Sequence, residues 1–440
     1  MKLRLLTAGG NADWETTLVQ ACQQPGSPAE VVQRCYDDLG ELLAAADAGK
    51  AQVAVVAATQ RWLDREAVRR LTDAKVSVVG VIASGDEEAE RRLRQLGVTH
   101  LGFTSDGPGV LVDRARAAVL TPPAADGEPA AQDDAPADQD ASAGGPRVVV
   151  AVWGPKGAPG RTTTALNVAF EAAPLVGETL LVDADTYGGT VDQKLGFQDD
   201  NPGLAWAARL ASRGELDTLR LWRETRRATA GGPRVLVGLS RAPQWIEVRP
   251  VTWEALLDLF RAAFPLTVLD LAFCLEEDEE LTYDQVHLRR NAIARLSLEH
   301  ADLVVAVARG DADGLREFIR SYQELREFVP PERIRVVINQ VRRSVFAGDP
   351  VSQIANALVR FLDVEPVAYV PYDRAGLDAA LMVGQALREA RPGSPAQGAF
   401  ADLTVRLLEA TGLRASDAAP TSRTRRSHGR WRRRAALEEG

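Results

Sequence analysis

Residues 148–170 read VVVAVWGPKGAPGRTTTALNVAF, and the reading of the rest of the chain turns on this stretch. VVVAVW is a continuous apolar run of strand-forming type, and a run of this kind predicts a strand buried on both faces of a sheet. A glycine-rich loop follows, and then a helical stretch that opens at three hydroxyl residues. Gly157 and Gly160 let backbone N–H groups converge on an anion, and a helix starting near Arg161 and Thr162 aims its positive end at the same point. Thr162 stands where the hydroxyl of a phosphate-binding loop ligates Mg²⁺. The competing reading is an ordinary strand-to-helix turn, and one glycine-rich loop alone does not exclude it. The motifs further along the chain decide between the two.

Twenty-two residues past Arg161 lies Asp183, in TLLVDADTYGGTVDQKLG (179–196), a buried-type strand ending in Asp183 and Asp185. FPLTVLDLAF (264–273) carries Asp270 after four apolar-patterned positions. RVVINQVR (335–342) presents Asn339 at a strand end, and VAYVPYDRAGLDAALMVGQAL (367–387) places Pro371 and Asp373 before a helix. Each is an ordinary turn or capping signal taken singly. Their order and spacing after the loop favour a nucleotide site.

Together these segments resemble the MinD/ParA family of P-loop ATPases. GPKGAPGRTT is similar to the family's deviant Walker A loop, so the resemblance implies that Gly154, Pro155, Lys156, Gly157, Ala158, Pro159, Gly160, Arg161, Thr162 and Thr163 cradle ATP. Lys156 matches the signature lysine that reaches a partner's nucleotide across an ATP-dependent homodimer. Asp185 then positions the attacking water, and Thr162, Asp183 and Asp270 surround Mg²⁺. Asn339 reads the adenine edge, and the loop from Pro371 to Asp373 closes over the base. The chain departs from the pattern at Arg161, which stands where the family has its Walker lysine. Arginine keeps the charge but is a wider, planar donor, so nucleotide binding is expected and hydrolysis is left open. The resemblance spans roughly residues 147–412.

The remaining sequence fits two α/β domains, each with a doubly wound parallel sheet. At 440 residues the chain is too long for one core. Before the linker, short β-like runs (LRLLTAG, AEVVQR, QVAVVAAT, VSVVGVIAS, HLGFTS) alternate with helical segments. That layout resembles the receiver fold of two-component systems. The places where receivers carry their acidic residues, phosphoacceptor and lysine read here Thr7 to Gly10, Ala57 to Thr59, and Thr104 to Ser105. The expectation is a pseudo-receiver over 1–120, a Pro/Ala/Asp-rich linker over 121–146, a P-loop domain over 147–414 and an Arg-rich tail over 415–440. Adding a receiver-like domain to a degenerate Walker loop most resembles the CpaE/TadZ branch, whose members localise pilus assembly. The septum-placing MinD branch and the DNA-partitioning ParA branch stay open.

Charge and cysteine usage narrow the class further. Net charge is -9, yet the last 18 residues hold seven arginines, a run that would attract an anionic membrane or DNA equally. Lysine is scarce, with Lys156 one of five (Lys2, Lys50, Lys75, Lys156 and Lys194) among 52 basic residues, so its retention in the loop supports the match. Cys22, Cys35 and Cys274 form no CxxC pair and the four histidines are scattered, which points to neither disulfides nor zinc. No apolar run reaches the length of a membrane span, and the N-terminus lacks a secretory pattern. The expected location is the cytoplasm, with peripheral contact at the inner face of the membrane. The expected partners are a second copy of the chain and a further protein that the sequence does not identify.

Overall fold

The structure, a computed structural model, describes residues 2–36, 38–121, 146–157, 159–197, 203–277 and 289–413. Ala158, most of the linker and the Arg-rich tail therefore lie outside the described residues.

The first sheet contains β1 (Leu3–Ala8), β2 (Ala29–Arg34), β3 (Val53–Ala57), β4 (Ser77–Ile82) and β5 (His100–Phe103). Their order is β2-β1-β3-β4-β5 and every pairing is parallel. This is the flavodoxin-like doubly wound order, which receivers share. Alternation along each strand explains the two layers. Leu3 and Leu5 of β1 join a core with Val53 and Val55, whereas Leu6 and Ala8 join Ala54 and Val56 on the other face. All five runs expected from the sequence are strands.

The second sheet contains β6 (Val148–Trp153), β7 (Thr179–Ala184), β8 (Arg226–Arg227), β9 (Arg234–Leu236), β10 (Leu266–Leu271), β11 (Leu303–Arg309), β12 (Ile334–Val341) and β13 (Ala368–Pro371). The order is β13-β12-β11-β6-β10-β7-β9-β8. β6, β7, β10, β12 and β13 are the strand runs quoted above. β8, a pair of arginines, pairs antiparallel with β9 and makes the sheet mixed at that edge. β6 is buried along its whole length, with Val149, Ala151 and Trp153 facing one core and Val148, Val150 and Val152 the other. That burial on both faces is why the strand reads as an unbroken apolar run. The winding reverses at β6, between β10 and β11, and a doubly wound fold opens a crevice at the carboxyl ends of strands around such a reversal.

The two domains touch along the helices Arg65–Asp73 and Pro250–Ala263. Asp64 faces Arg249 at 3.7 Å and Arg69 faces Glu254 at 3.9 Å. Arg92 reaches across to the Arg213 carbonyl at 3.0 Å.

Candidate functional site

The loop after β6 is shaped by two left-handed glycines, Gly157 at φ 97° and Gly160 at φ 96°. Gly160 is also the N-cap of the helix Arg161–Val176, so the helix begins where the loop ends. Close approach fixes glycine at two positions. A Cβ on Gly154 would lie 2.5 Å from the Val307 carbonyl, and one on Gly160 only 2.1 Å from Asn339 Nδ2.

Four of the loop's carbonyl groups are held by side chains. Arg161 Nη1 donates to the Gly154 carbonyl at 3.2 Å and the Pro155 carbonyl at 3.0 Å. Arg309, from the end of β11, donates to the Gly157 carbonyl at 3.1 Å. Asn339 donates from Nδ2 to the Pro159 carbonyl at 2.9 Å. The amides are left over. Among the described residues, no acceptor takes the N–H groups of Gly160, Arg161, Thr162 or Thr163. Free amides at a helix start, with the positive end of its dipole, form an anion site.

Two carboxylates lie deeper, side by side on neighbouring strands, because β10 and β7 pair with Asp270 opposite Asp183. Asp183 is 1% exposed and its oxygens accept the N–H groups of Asp185 (3.2 Å) and Val191 (3.1 Å). Burial, and then the charge of Asp270, push its pKa well above the ordinary carboxylate range. Asp270 is wholly buried, and among the described residues neither of its oxygens has a hydrogen bond of normal geometry, with the Thr162 hydroxyl the donor placed beside it. Burial pushes its pKa up to about 7, against the lowering influence of the neighbouring Thr162 hydroxyl and Arg161 guanidinium. A buried carboxylate so short of hydrogen bonds is costly, and a cation at Thr162 and Asp270 would remove that cost. The donor set, a hydroxyl and a carboxylate, suits Mg²⁺ with phosphate oxygens and water filling the remaining positions. No group of three or more acidic, histidine or cysteine ligands occurs among the described residues.

The structure brings Gly154 to Gly157, Pro159 to Thr163, Asp183, Asp185 and Asp270 together at the reversal of the sheet, and Ala158 lies outside the described residues. Asp185 caps its own turn, accepting from Tyr187 (2.9 Å) and Gly188 (3.3 Å), and faces Arg161 Nη2 at 3.8 Å. Arg161 is thereby engaged on every side, since its Nε also donates to the Leu271 carbonyl at 3.1 Å.

Three residues expected at the nucleotide make contacts of their own in this structure. Lys156, expected to reach the partner's nucleotide, has its ammonium 3.6 Å from Glu317 on the helix Ala312–Phe328. Both flank a cavity of about 200 Å³ beside the loop. Asn339, expected at the adenine edge, donates to the Pro159 carbonyl and accepts from the Gln340 N–H (2.8 Å), which fastens the loop to β12. Asp373 caps the helix Arg374–Val383 through the Gly376 N–H at 2.9 Å, while Pro371 closes β13. Sequence reasoning missed Arg309 and the aromatic wall of Phe273 and Tyr187, whose rings lie 5.3 Å apart. A basic residue at a strand end just before Gly310 and Asp311 was the available signal for Arg309.

The larger domain is thus an α/β domain with a glycine-rich loop and a helix start at the reversal of its sheet. No protein-family model matches the chain. It is 26% identical to the antiactivator FleN of Pseudomonas aeruginosa over 279 residues, 58% of this chain and 84% of FleN. Solved structures similar to it include a ParA family ATPase of Chlorobium tepidum (16% identical, 59% of this chain and 99% of that one, TM-score 0.49). Another is the septum site-determining protein MinD of Pyrococcus horikoshii complexed with Mg-ADP (19%, 61% and 99%, TM-score 0.49). No helix among the described residues is long and apolar enough to cross a membrane.

Proposed function

We propose that the chain is an ATP-binding, Mg²⁺-dependent switch of the MinD/ParA type that dimerises on nucleotide and helps position a cellular assembly. One observation carries the reading: at the reversal of the sheet, a helix start whose Gly160 to Thr163 amides have no acceptor among the described residues stands beside Asp270, a buried carboxylate whose neighbouring donors are Thr162 and Arg161. Polyphosphate satisfies the first and its divalent counter-ion the second. The amides of Gly160 to Thr163 bind phosphate oxygens, Thr162 and Asp270 hold Mg²⁺, and Asp183 keeps the following turn in place. Bound Mg²⁺ would neutralise phosphate charge at this point. In this reading Lys156 leaves Glu317 and crosses to the nucleotide of the partner subunit, a small cost because the exposed pair is worth under ~1 kcal/mol. Calorimetric titration of the full chain with ATP and Mg²⁺ tests the reading, and a folded protein that takes up no nucleotide at millimolar concentration would end it.

Within that reading the contacts of Arg161 favour a switch that holds ATP over one that turns it over quickly. Its guanidinium is committed to the Gly154, Pro155 and Leu271 carbonyls, and a planar fork so held does not follow a transferring phosphoryl group as an ammonium does. Single-turnover hydrolysis should be slow in the wild type and faster in Arg161→Lys; brisk wild-type turnover that falls in the variant would favour the ATPase reading. The N-terminal domain supports placement near the CpaE/TadZ branch. It has the receiver strand order but no carboxylate at Ala57 to Thr59, so we assign it as a pseudo-receiver that works by contact rather than phosphorylation.

A further inference from the structure

The edge of the large sheet at β8 carries a surface that nucleotide binding does not use. The short helix Thr218–Glu224 leads into β8, and Leu219 (56% exposed) and Trp222 (40% exposed) stand three residues apart on its outer side. Arg220, Arg223, Arg226 and Arg227 are exposed around them. Residues 203–236 hold seven arginines against three acidic residues, in a chain whose net charge is -9. Arg209 is paired with Glu247, and Arg227 and Arg234 with Glu178, so Arg220 and Arg223 carry the basic character of the surface around its exposed apolar groups.

We propose that this edge is a docking surface for an anionic lipid bilayer, with Leu219 and Trp222 entering the interface and the arginines meeting lipid headgroups. Charge complementarity selects an anionic partner, and a tryptophan beside a leucine suits the boundary between headgroup and acyl chain. Nucleic acid would attract the same charges through its phosphates, and a single strand would in addition stack bases on free aromatic faces. Here guanidinium groups already cover a face of each ring: Arg234 lies 3.4 Å over Trp222, Arg226 4.7 Å over Phe197, and Arg220 5.5 Å over Trp206. Leu219, the most exposed apolar group of the patch, has no base to pair with. Such contact is reversible and salt-sensitive.

Flotation of the full chain with phosphatidylcholine vesicles, with and without phosphatidylserine, tests this without nucleotide, so its outcome is independent of the ATP reading. The wild type should float with the phosphatidylserine vesicles at low salt and release at high salt. Leu219→Ser combined with Arg223→Glu should lower partition tenfold or more. Arg223→Ser alone should lower it about fivefold, the equivalent of ~1 kcal/mol for one basic residue. Arg223 has no ion-pair partner among the described residues, so this single variant is expected to keep its fold and its melting temperature. A chain ending at residue 420 should retain the difference between wild-type and variant surfaces. Wild-type protein that ignores the vesicles overturns the proposal. So does binding that vanishes on removing the tail and is indifferent to both variants, or binding to oligonucleotides but not to lipid.

Discussion

The two sheets of this chain are wound alike, each reversing direction beside its first strand, yet the crevices at the two reversals are finished in opposite ways. In the N-terminal domain the turn after β1 is left-handed at Gly10 (φ 62°) and Asn11 (φ 66°), much as the loop after β6 is at Gly157 and Gly160. There the resemblance stops. Glu15, 1% exposed, accepts from the Gly9 N–H at 3.1 Å and pairs with Arg34 at 3.0 Å. The buried amide of Gln60 donates to the Ala8 and Tyr36 carbonyls at 3.4 and 3.3 Å. Side chains of the domain itself occupy the place a ligand would take. In the larger domain, side chains take the carbonyls instead and leave the amides, with Asp270 short of hydrogen bonds below them. A doubly wound fold supplies a crevice; which backbone groups the side chains leave unsatisfied decides whether it is a site.

The sharpest way to break this comparison is to add one methyl group to each turn. Gly160→Ala combines a left-handed φ with a Cβ 2.1 Å from Asn339, which must then release Pro159. Nucleotide binding should weaken by more than about a hundredfold, on the order of 3 kcal/mol. Gly10→Ala meets only the flexible end of Gln60 at 3.3 Å, so it should leave binding unchanged and cost ~1 kcal/mol of stability. Equal effects of the two variants in calorimetric titration would mean that the loop does not hold the nucleotide.

Asp270 and Glu15, one buried carboxylate from each crevice, give the next contrast, since their shifts run in opposite directions. Burial raises Asp270 to about 7. An acid whose folded pKa lies above its unfolded value of roughly 4 stabilises nothing when ionised, so stability is lost as pH rises from about 4 to about 7. Asp270→Asn should therefore stabilise nucleotide-free protein at pH 8 by up to ~4 kcal/mol, read as a higher melting temperature, and the gain should shrink toward pH 5. The same variant should make nucleotide binding indifferent to Mg²⁺. A variant that melts lower than wild type at pH 8 would show that Asp270 is well hydrogen-bonded after all.

Glu15 behaves in the reverse sense. Burial works to raise its pKa, but the Arg34 guanidinium and the Gly9 N–H outweigh it and hold the group below the ordinary range. The stability it contributes is present above its unfolded pKa of about 4.3 and is lost as pH falls through the folded value. Glu15→Gln should cost ~1–2 kcal/mol at pH 7, tempered by the partial exposure of Arg34, and the cost should disappear in acid. Denaturant unfolding at both pH values measures it. A cost that persists in acid would place the effect in packing rather than charge.

What the sequence made legible follows from the range of the forces involved. Strands buried on both faces, such as β6 and β3, announce themselves as apolar runs, and both domains were read from that signal. The glycine-rich loop and its helix start were legible because glycine, hydroxyl and helix start lie within ten residues. β8 was not: it is two exposed arginines that become a strand only by pairing with β9. The hold of Asn339 on Pro159 spans 180 positions, and no local pattern announces it. Gln60 gave no signal either, since a lone glutamine after a strand is an ordinary loop residue until the fold buries it against Ala8.

The smallest expected effect tests how far the two domains act as one. The ion pairs that join them are long and wet: Arg69 and Arg249 are 49% and 39% exposed and stand 3.9 and 3.7 Å from their carboxylates. Water screens pairs of this kind, and each holds two mobile side chains in one geometry, so Arg69→Ala and Arg249→Ala should each cost less than ~1 kcal/mol. Arg92 is different in kind. It ties the Ala58 and Leu63 carbonyls (each at 2.7 Å) of its own domain and the Arg213 carbonyl of the other, and backbone acceptors half-buried at an interface are not screened as freely. If the domains are coupled, the coupling runs through Arg92 and the apolar groups around it, and scanning calorimetry of the two exposed variants should give the wild-type profile within about 2 °C. Separation of one unfolding transition into two on losing either exposed arginine would show instead that charge at this surface holds the occluded domain to the nucleotide domain.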